Sequence, residues 1–176
     1  MPSNHPRWSG LHDDLRAAKT LVYEPNGFVC SQPVPEPEST AYAAHRFTVD
    51  GASVVFRVAA TTPTKAGQFV TVWQRSAQGP IRPFDTADGI DLFVISSRDH
   101  GHFGQFVFPG PVLCERGIVS RDGTGGKRGF RVYPPWVETT SRQASKTQAW
   151  QVEHFLRLDD HTPATSTHAR SLYRGR

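Results

Sequence analysis

The chain has 176 residues, of which 37% are hydrophobic and 20% are charged, and it carries a net charge of +4. This composition is ordinary for one globular domain, and two cysteines, Cys30 and Cys114, are too few for a disulfide framework. No apolar run is long enough to cross a bilayer and no signal peptide precedes the body, so we expect a cytoplasmic protein without a membrane partner. The positive net charge favours anionic partners.

The first third of the chain shows one helical pattern and one hairpin. Apolar residues recur at helical spacing over 10–23, which predicts an amphipathic helix after a frayed N-terminus. Three prolines make residues 31–38 an extended connector. An Asp-Gly pair then separates two runs of alternating residues, so 42–49 and 53–59 are predicted to form a β-hairpin.

The remaining elements mix strands with helices. Thr62 precedes Pro63 as a candidate N-cap, which predicts a helix from 63 to about 75. Further along, the patterns predict strands over 92–96, 105–108 and 127–133, a segment compatible with helix or strand over 111–119, and a last long helix over 141–158. We therefore predict an α/β (α+β) fold, with a mixed central sheet flanked by helices. The predicted organisation is one domain over 9–158, a disordered N-terminus over 1–8 and a flexible polar tail over 159–176.

Cations recur on several of these elements, and aromatic residues stand near them in the sequence. The candidates for an anion- or nucleic-acid-binding surface are Arg57, Thr62, Lys65, Arg75, Lys127, Arg128, Arg131, Tyr133, Lys146 and Trp150. Lys65 lies in the first turn of the predicted helix, where a cation opposes the helix dipole and a bound anion would explain it. Cations interleaved with aromatic rings suit a nucleic-acid backbone and its exposed bases. The alternative is a solvated basic surface over a core of aromatic residues.

An acidic set surrounds the predicted strand at 92–96. Asp85 and Asp88 are expected to form turns, because aspartate bonds its own backbone in loops. Asp91 directly precedes the apolar run, and Gln105 opens the next predicted strand. Oxygen ligands at the starts of neighbouring strands would suit a hard cation such as Mg²⁺, so Asp91 and Gln105 are predicted to share such a site.

Seven stretches together resemble one protein family. They are EPESTAY at 36–42, FRVAATTPTKAGQFVTVWQR at 56–75, PFD at 83–85, DLFVIS at 91–96, FGQFVFP at 103–109, GKRGFRVYPPW at 126–136 and QASKTQAWQVEHF at 143–155. Over about residues 20–156, the chain is similar to the MepB family of small bacterial proteins. The resemblance implies a fold like that of restriction endonucleases, and nucleic-acid binding as the favoured activity.

The resemblance also implies a nuclease-like centre on Asp91 and Gln105, with Glu38 as a third ligand and Lys65 or Lys127 as the cation. The acidic-x-lysine step of such a centre begins with the amide of Gln105 here, so the centre is expected to be degenerate. Mg²⁺ is the one candidate cofactor. We expect nucleic-acid binding in a single basic cleft. The alternatives are a metal-dependent endonuclease, or a regulatory protein that binds a nucleotide or small anion.

Overall fold

The computed structural model describes residues 7–77, 79–158 and 166–175. Within these ranges the helices are α1 (Asp13–Ala18), α2 (Gly110–Glu115), α3 (Arg142–Gln151) and α4 (Ser166–Arg174). The strands are β1 (Val34–Pro35), β2 (His45–Val49), β3 (Ala52–Val58), β4 (Ala60–Thr61), β5 (Gln68–Thr71), β6 (Trp73–Arg75), β7 (Ile81–Pro83), β8 (Leu92–Asp99), β9 (His102–Pro109), β10 (Gly129–Val132) and β11 (Phe155–Arg157). No helix in the described ranges has the length and apolar character needed to span a membrane.

A six-stranded mixed sheet forms the centre of the molecule, in the order β1-β2-β3-β8-β9-β11. Its β3 and β8 pair in parallel, and the other neighbours pair antiparallel. The predicted hairpin of β2 and β3 is confirmed. Asp50 and Gly51 form its turn, and both have positive φ angles, 48° and 79°, as a tight hairpin turn requires.

Each face of the central sheet carries its own hydrophobic core, because alternate residues of the inner strands point to opposite sides. One core packs Val54 and Phe56 of β3 against α1 and α4. The other packs Val55 against α2 and a three-stranded sheet, β10-β5-β4. The predicted mixed sheet with helices on both faces is therefore confirmed, and its likeness to restriction endonucleases stays a prediction.

The helix predicted from 63 to about 75 is wrong. The segment turns over 62–67 and then runs as β5 and β6. Phe69, Val70 and Trp73 satisfy a helical spacing over a short window, but strand-favouring residues dominate here, and β5 pairs with both β10 and β4. Pairing in the small sheet satisfies the backbone that a helix would otherwise have satisfied.

The predicted helix at 10–23 is confirmed in its larger part, because α1 continues into a π-helical turn, Lys19–Tyr23. Two other helix boundaries differ from prediction. The last long helix ends at Gln151 rather than 158, and residues 155–157 leave it to pair with β9 as an edge strand. The ambiguous segment at 111–119 begins as the short helix α2.

Both ends of the described chain contribute to the core, which the predicted frayed N-terminus and flexible tail did not anticipate. Trp8 is buried, and its ring lies 5.8 Å from that of Phe47. In α4, Leu172 and Tyr173 are buried on the same core, so residues 166–174 are a packed helix. Apolar residues spaced three to four apart were present in both places, but their partners lie far away in sequence. Residues 1–6, 159–165 and 176 lie outside the described ranges.

Candidate nucleic-acid interface

A cavity of about 510 Å³ opens between β10, the turn at 62–67 and one side of α3. An adjoining cavity of about 460 Å³ continues along the exposed side of α3, and Arg116 and Trp150 line both. The two cavities together bring six cations into one groove, which we call the basic cleft. Its cations are Lys65, Arg116, Lys127, Arg131, Arg142 and Lys146.

One wall of the cleft is the turn at 62–67, tied to β10 by Arg131. The Arg131 guanidinium donates to the hydroxyl of Thr62 and, at 3.1 Å, to the carbonyl of Ala66. Gly67 has a φ of +77°, and a Cβ there would lie 2.7 Å from the ring of Tyr133. A glycine is therefore needed for the turn to close on the ring, and the closed turn carries Lys65 to the rim of the cleft.

The opposite wall is α3, and a buried glutamine joins it to β10. Gln151 is fully buried, accepts from the backbone N–H of Tyr133 at 2.8 Å and donates to the carbonyl of Arg131 at 2.8 Å. Ser141 caps the helix by accepting from the N–H of Ala144, and both residues line the cavity. The positive end of the α3 dipole therefore faces the groove and adds to its positive potential.

The cleft cations are exposed or half-buried, and acidic partners for them are absent from the described ranges. Five of the six side chains are exposed, and Arg131 is half-buried. Within the part of the chain that the structure describes, none of the six lies within 4 Å of a carboxylate. Like charges gathered in one groove repel one another, and a bound polyanion relieves that repulsion.

A family model described as MepB-like matches residues 36–157, which include every cation of the basic cleft. The chain belongs to the MepB-like family. A solved structure described as "Crystal Structure of MepB" is similar to this chain with 31% sequence identity and a TM-score of 0.72. The similarity covers 84% of this chain and 97% of that chain. A comparison with curated proteins finds no match. The resemblance inferred from sequence is thus confirmed.

The aromatic residues of this MepB-like cleft form its walls. Trp150 is half-buried; the guanidinium carbon of Arg116 lies 5.0 Å from the indole centroid, and the ring of Phe108 lies 5.4 Å from it. Tyr133 rests on Gly67. The sequence interpretation gave these rings a role in stacking on bases, whereas here their contacts hold the cleft together and position Arg116.

Three of the predicted binding cations lie apart from the cleft lining of this MepB-like chain. Arg75 and Arg128 are exposed, at the end of β6 and just before β10. Arg57 is fully buried between the central and small sheets, where its Nη1 donates to Glu36 Oε1 at 2.7 Å. Burial lowers the pKa of Arg57, and the nearby Glu36 opposes that change. Arg57 is thus a structural cation, which its position in an alternating strand did not reveal.

The proposed metal pair of Asp91 and Gln105 is not brought together. β8 and β9 are antiparallel, so their first residues lie at opposite ends of the ladder. Gln105 pairs with Ser96, five residues beyond Asp91, which corresponds to roughly 17 Å along the strand. The prediction was wrong because it assumed that the two strands begin at the same edge.

The surroundings of the predicted nuclease residues also differ from those of a metal centre. Gln105 is buried and accepts from the hydroxyl of Tyr173, whereas Asp91 is exposed on the far side of the sheet. Glu38 is half-buried in the segment before β2. Among the described residues, no three His, Cys, Asp or Glu side chains are grouped so as to hold a metal ion.

Asp85 and Asp88 form a turn, as the sequence indicated. Asp85 caps the 3₁₀ turn at 86–88, and its carboxylate accepts from the Ser120 hydroxyl at 2.6 Å, the Gly123 N–H at 2.9 Å and the Ala87 N–H at 2.9 Å. These bonds lower the pKa of Asp85 to about 2, because each of them favours the charged carboxylate.

We expect Asp85→Asn to destabilise the protein at pH 6 and to have a smaller effect near pH 2. A depressed folded-state pKa contributes stability above the unfolded pKa, near 3.8, and that contribution is lost as the pH falls towards about 2. Thermal unfolding of both proteins between pH 6 and pH 2 measures the change. Glu138→Gln, at an exposed residue, is the control for loss of one carboxylate. If the difference in unfolding temperature between the wild type and Asp85→Asn stays constant from pH 6 to pH 2, the prediction is contradicted.

Proposed function

We propose that this MepB-like protein binds nucleic acid through its phosphate backbone, in the basic cleft. The observation that carries the proposal is the meeting of six cations in one concave groove, none of them paired with a carboxylate of the described residues. The cations come from separate parts of the chain, between residues 65 and 146, and folding places them on both sides of the groove. Phosphates spaced along a strand match such a row of charges, and counterions released from the nucleic acid supply much of the binding free energy.

The supports of the cleft make the proposal more specific. Arg131, Gln151 and Gly67 hold the two walls at a set distance, so the lysines at the rim are presented by a preorganised scaffold. The half-buried rings of Trp150 and Tyr133 already make contacts within the protein, which leaves only part of each ring for a base. We therefore expect contacts to phosphates to dominate and preference for particular bases to be weak.

Cleavage is not part of this proposal, although a metal-dependent nuclease is the family-based alternative. Asp91 precedes one end of the β8–β9 ladder, whereas Gln105 pairs with Ser96 near its middle, and a degenerate centre fits a binding protein better than an enzyme. A second candidate is a nucleotide- or small-anion-binding regulator. The cavity of about 510 Å³ favours it, because this volume lies in the range of small-molecule sites.

The test is a fluorescence anisotropy titration of labelled DNA and RNA oligonucleotides over a series of salt concentrations. We expect the double variant Lys65→Ala/Lys127→Ala to bind about tenfold more weakly, because it removes two phosphate contacts. Its log–log salt slope is expected to be lower by about 1 for each lost contact. Both lysines are exposed on the rim, so the fold is expected to persist.

The matched control is Arg75→Ala/Arg128→Ala, which removes two exposed cations outside the cleft lining. We expect this variant to keep the wild-type salt slope. Equal losses in the two double variants would show that net charge, rather than the cleft, governs binding. Binding of a mononucleotide without retention of any oligonucleotide would favour the small-anion alternative. Metal-dependent cleavage of plasmid DNA by the purified protein would favour the nuclease.

A further inference from the structure

A third cavity, of about 610 Å³, lies between the 3₁₀ turn at 86–88, the start of β8 and α2. None of the residues that line it also lines the basic cleft. Its floor is apolar, formed by Ile90, Phe93, Pro111 and Val119, of which Ile90 and Pro111 keep accessible surface, and Asp85 and Asp91 also line the cavity. We call it the acidic cavity. Its size is that of a small-molecule site, and its mixture of an apolar floor with a few polar groups is typical of one.

The two carboxylates differ in the number of hydrogen bonds that they accept from the protein. The oxygens of Asp85 already accept three hydrogen bonds from the protein, and those from Ser120 and Gly123 hold the turn to the loop after α2. Asp91 Oδ2 accepts from the N–H of Ser53 at 2.8 Å, but no described residue donates to Asp91 Oδ1. Asp91 is exposed, so this second oxygen faces solvent and is open to a donor from a ligand.

Asp91 is also held firmly in position. Its N–H donates to the carbonyl of Ser53 at 3.0 Å, and its own carbonyl accepts from the N–H of Gly110 at 3.0 Å. The backbone of Asp91 is thus bonded to β3 and to α2, and its side chain is bonded to β3. A carboxylate fixed in this way needs little reordering when it accepts a bond from a ligand, which favours binding.

The charge of the cavity is opposite to that of the chain as a whole. Asp85 and Asp91 contribute −2 and Arg121 contributes +1, so the charged residues of the lining sum to −1, while the chain carries +4. Arg121 is exposed, and its Nη2 lies 3.4 Å from the Cys114 sulfur. A ligand that complements both the floor and the charge carries an apolar body and one positive group.

We propose that the acidic cavity binds a small organic cation, with an ammonium group that donates to Asp91 Oδ1 and an apolar body that packs on Ile90 and Pro111. This assignment does not rest on the nucleic-acid function, because the two sites are separate. The ammonium group donates a charge-assisted hydrogen bond to the solvent-facing oxygen of the exposed Asp91 carboxylate. The apolar body gains by leaving water, which provides affinity that a simple metal cation or ammonium ion would not have.

The experiment uses phenethylamine as the probe, with 2-phenylethanol and 3-phenylpropionate as its neutral and anionic counterparts. Binding to the full chain is followed by protein-observed NMR, in which the amides of residues 86–93 and 110–121 are expected to shift. We expect saturable binding of the amine, about tenfold weaker binding of the alcohol, and no measurable binding of the acid, because only the amine offers a charged donor.

Asp91→Asn tests the carboxylate directly. Asparagine retains an oxygen that accepts from Ser53, so the fold is expected to survive, while the charge is lost. We expect about a tenfold loss in amine affinity, because the bond to the ligand is no longer charge-assisted. Glu138→Gln removes an exposed carboxylate outside the cavity lining and is expected to leave the affinity unchanged.

A second variant keeps the test informative if Asp91→Asn unfolds. Thr86 is exposed and lines the cavity, so Thr86→Lys adds a cation there without disturbing the core, and we expect it to weaken amine binding by a similar factor. The proposal is overturned if the acid binds as tightly as the amine, if both variants bind as the wild type does, or if the amine fails to saturate any of the named amides.

Discussion

Replacing Glu36 with alanine is expected to lower the free energy of unfolding by about 3–5 kcal/mol, the cost of leaving a buried charge without its partner. Glu36 Oε1 accepts from Arg57 Nη1 at 2.7 Å, and the Arg57 side chain is completely buried. Glu36 Oε2 also accepts from Arg46 Nε at 3.3 Å, but Arg46 is 40% exposed, so this second pair contributes little.

The surroundings of Arg57 explain why the effect is large. Its Nε donates to the carbonyl of Thr71 at 3.2 Å, and its Nη1 also donates to the carbonyl of Phe56 at 2.9 Å. Nη2 is buried and has no hydrogen-bond partner among the described residues. The carboxylate of Glu36 is thus the charge that neutralises the guanidinium at this depth, and neither backbone carbonyl replaces it.

Urea denaturation followed by circular dichroism measures the effect. The control is Glu24→Ala, since Glu24 is an exposed carboxylate 3.5 Å from Lys19 and is expected to contribute less than about 1 kcal/mol. The double variant Glu36→Leu/Arg57→Met is expected to recover most of the loss, because it replaces both charges by apolar groups. If Glu36→Ala costs no more than the control, the ion pair does not exist as described.

Tyr173→Ala is the second change with a large expected effect, a loss of about 3–5 kcal/mol of unfolding free energy, as for other large buried side chains. The Tyr173 ring lies 5.4 Å from that of Tyr23 and 5.5 Å from that of Phe28. Its hydroxyl bonds Tyr23 and also donates to Gln105. Removing the side chain creates a cavity and leaves the amide oxygen of Gln105 without this donor.

Thermal and urea unfolding test this prediction. Arg170→Ala is the control on the same helix, because its side chain is exposed and the change is expected to lie within about 0.5 kcal/mol. Tyr173→Phe is expected to cost about 1–3 kcal/mol, through the hydrogen bond alone. A Tyr173→Ala protein as stable as the control would support a flexible tail, which the sequence predicted, instead of the packed helix α4.

Several elements of this MepB-like chain are predictable because their signals are local. The Asp-Gly turn between β2 and β3 is one, since few residues other than glycine, asparagine and aspartate adopt positive φ angles there. The turn-forming role of Asp85 is another, because an aspartate cap bonds its own neighbours. Neither inference needs knowledge of a partner distant in sequence.

The basic cleft was predicted in part. Lys65, Lys127 and Arg131 were identified from their sequence neighbourhoods, and they do line one cavity. Arg116 and Arg142 were missed, because one lies at the end of a segment of ambiguous type and the other lies just after a helix cap. A signal for Arg142 was present in the sequence. Arg142 lies in the first turn of the predicted last helix, where a cation opposes the helix dipole and a bound anion would explain it.

The amino-acid sequence by itself determined the family, the mixed sheet with helices, the basic character and the local turns. Only the tertiary structure decided that Arg57 faces an interior carboxylate, that the starts of β8 and β9 lie apart, and that residues 68–75 are strands rather than a helix. The reason is physical: a side chain's neighbours across a sheet, the direction of a strand and the partner that satisfies its backbone all depend on residues distant in sequence. Local propensity and residue spacing do not depend on those distant residues and therefore cannot predict them.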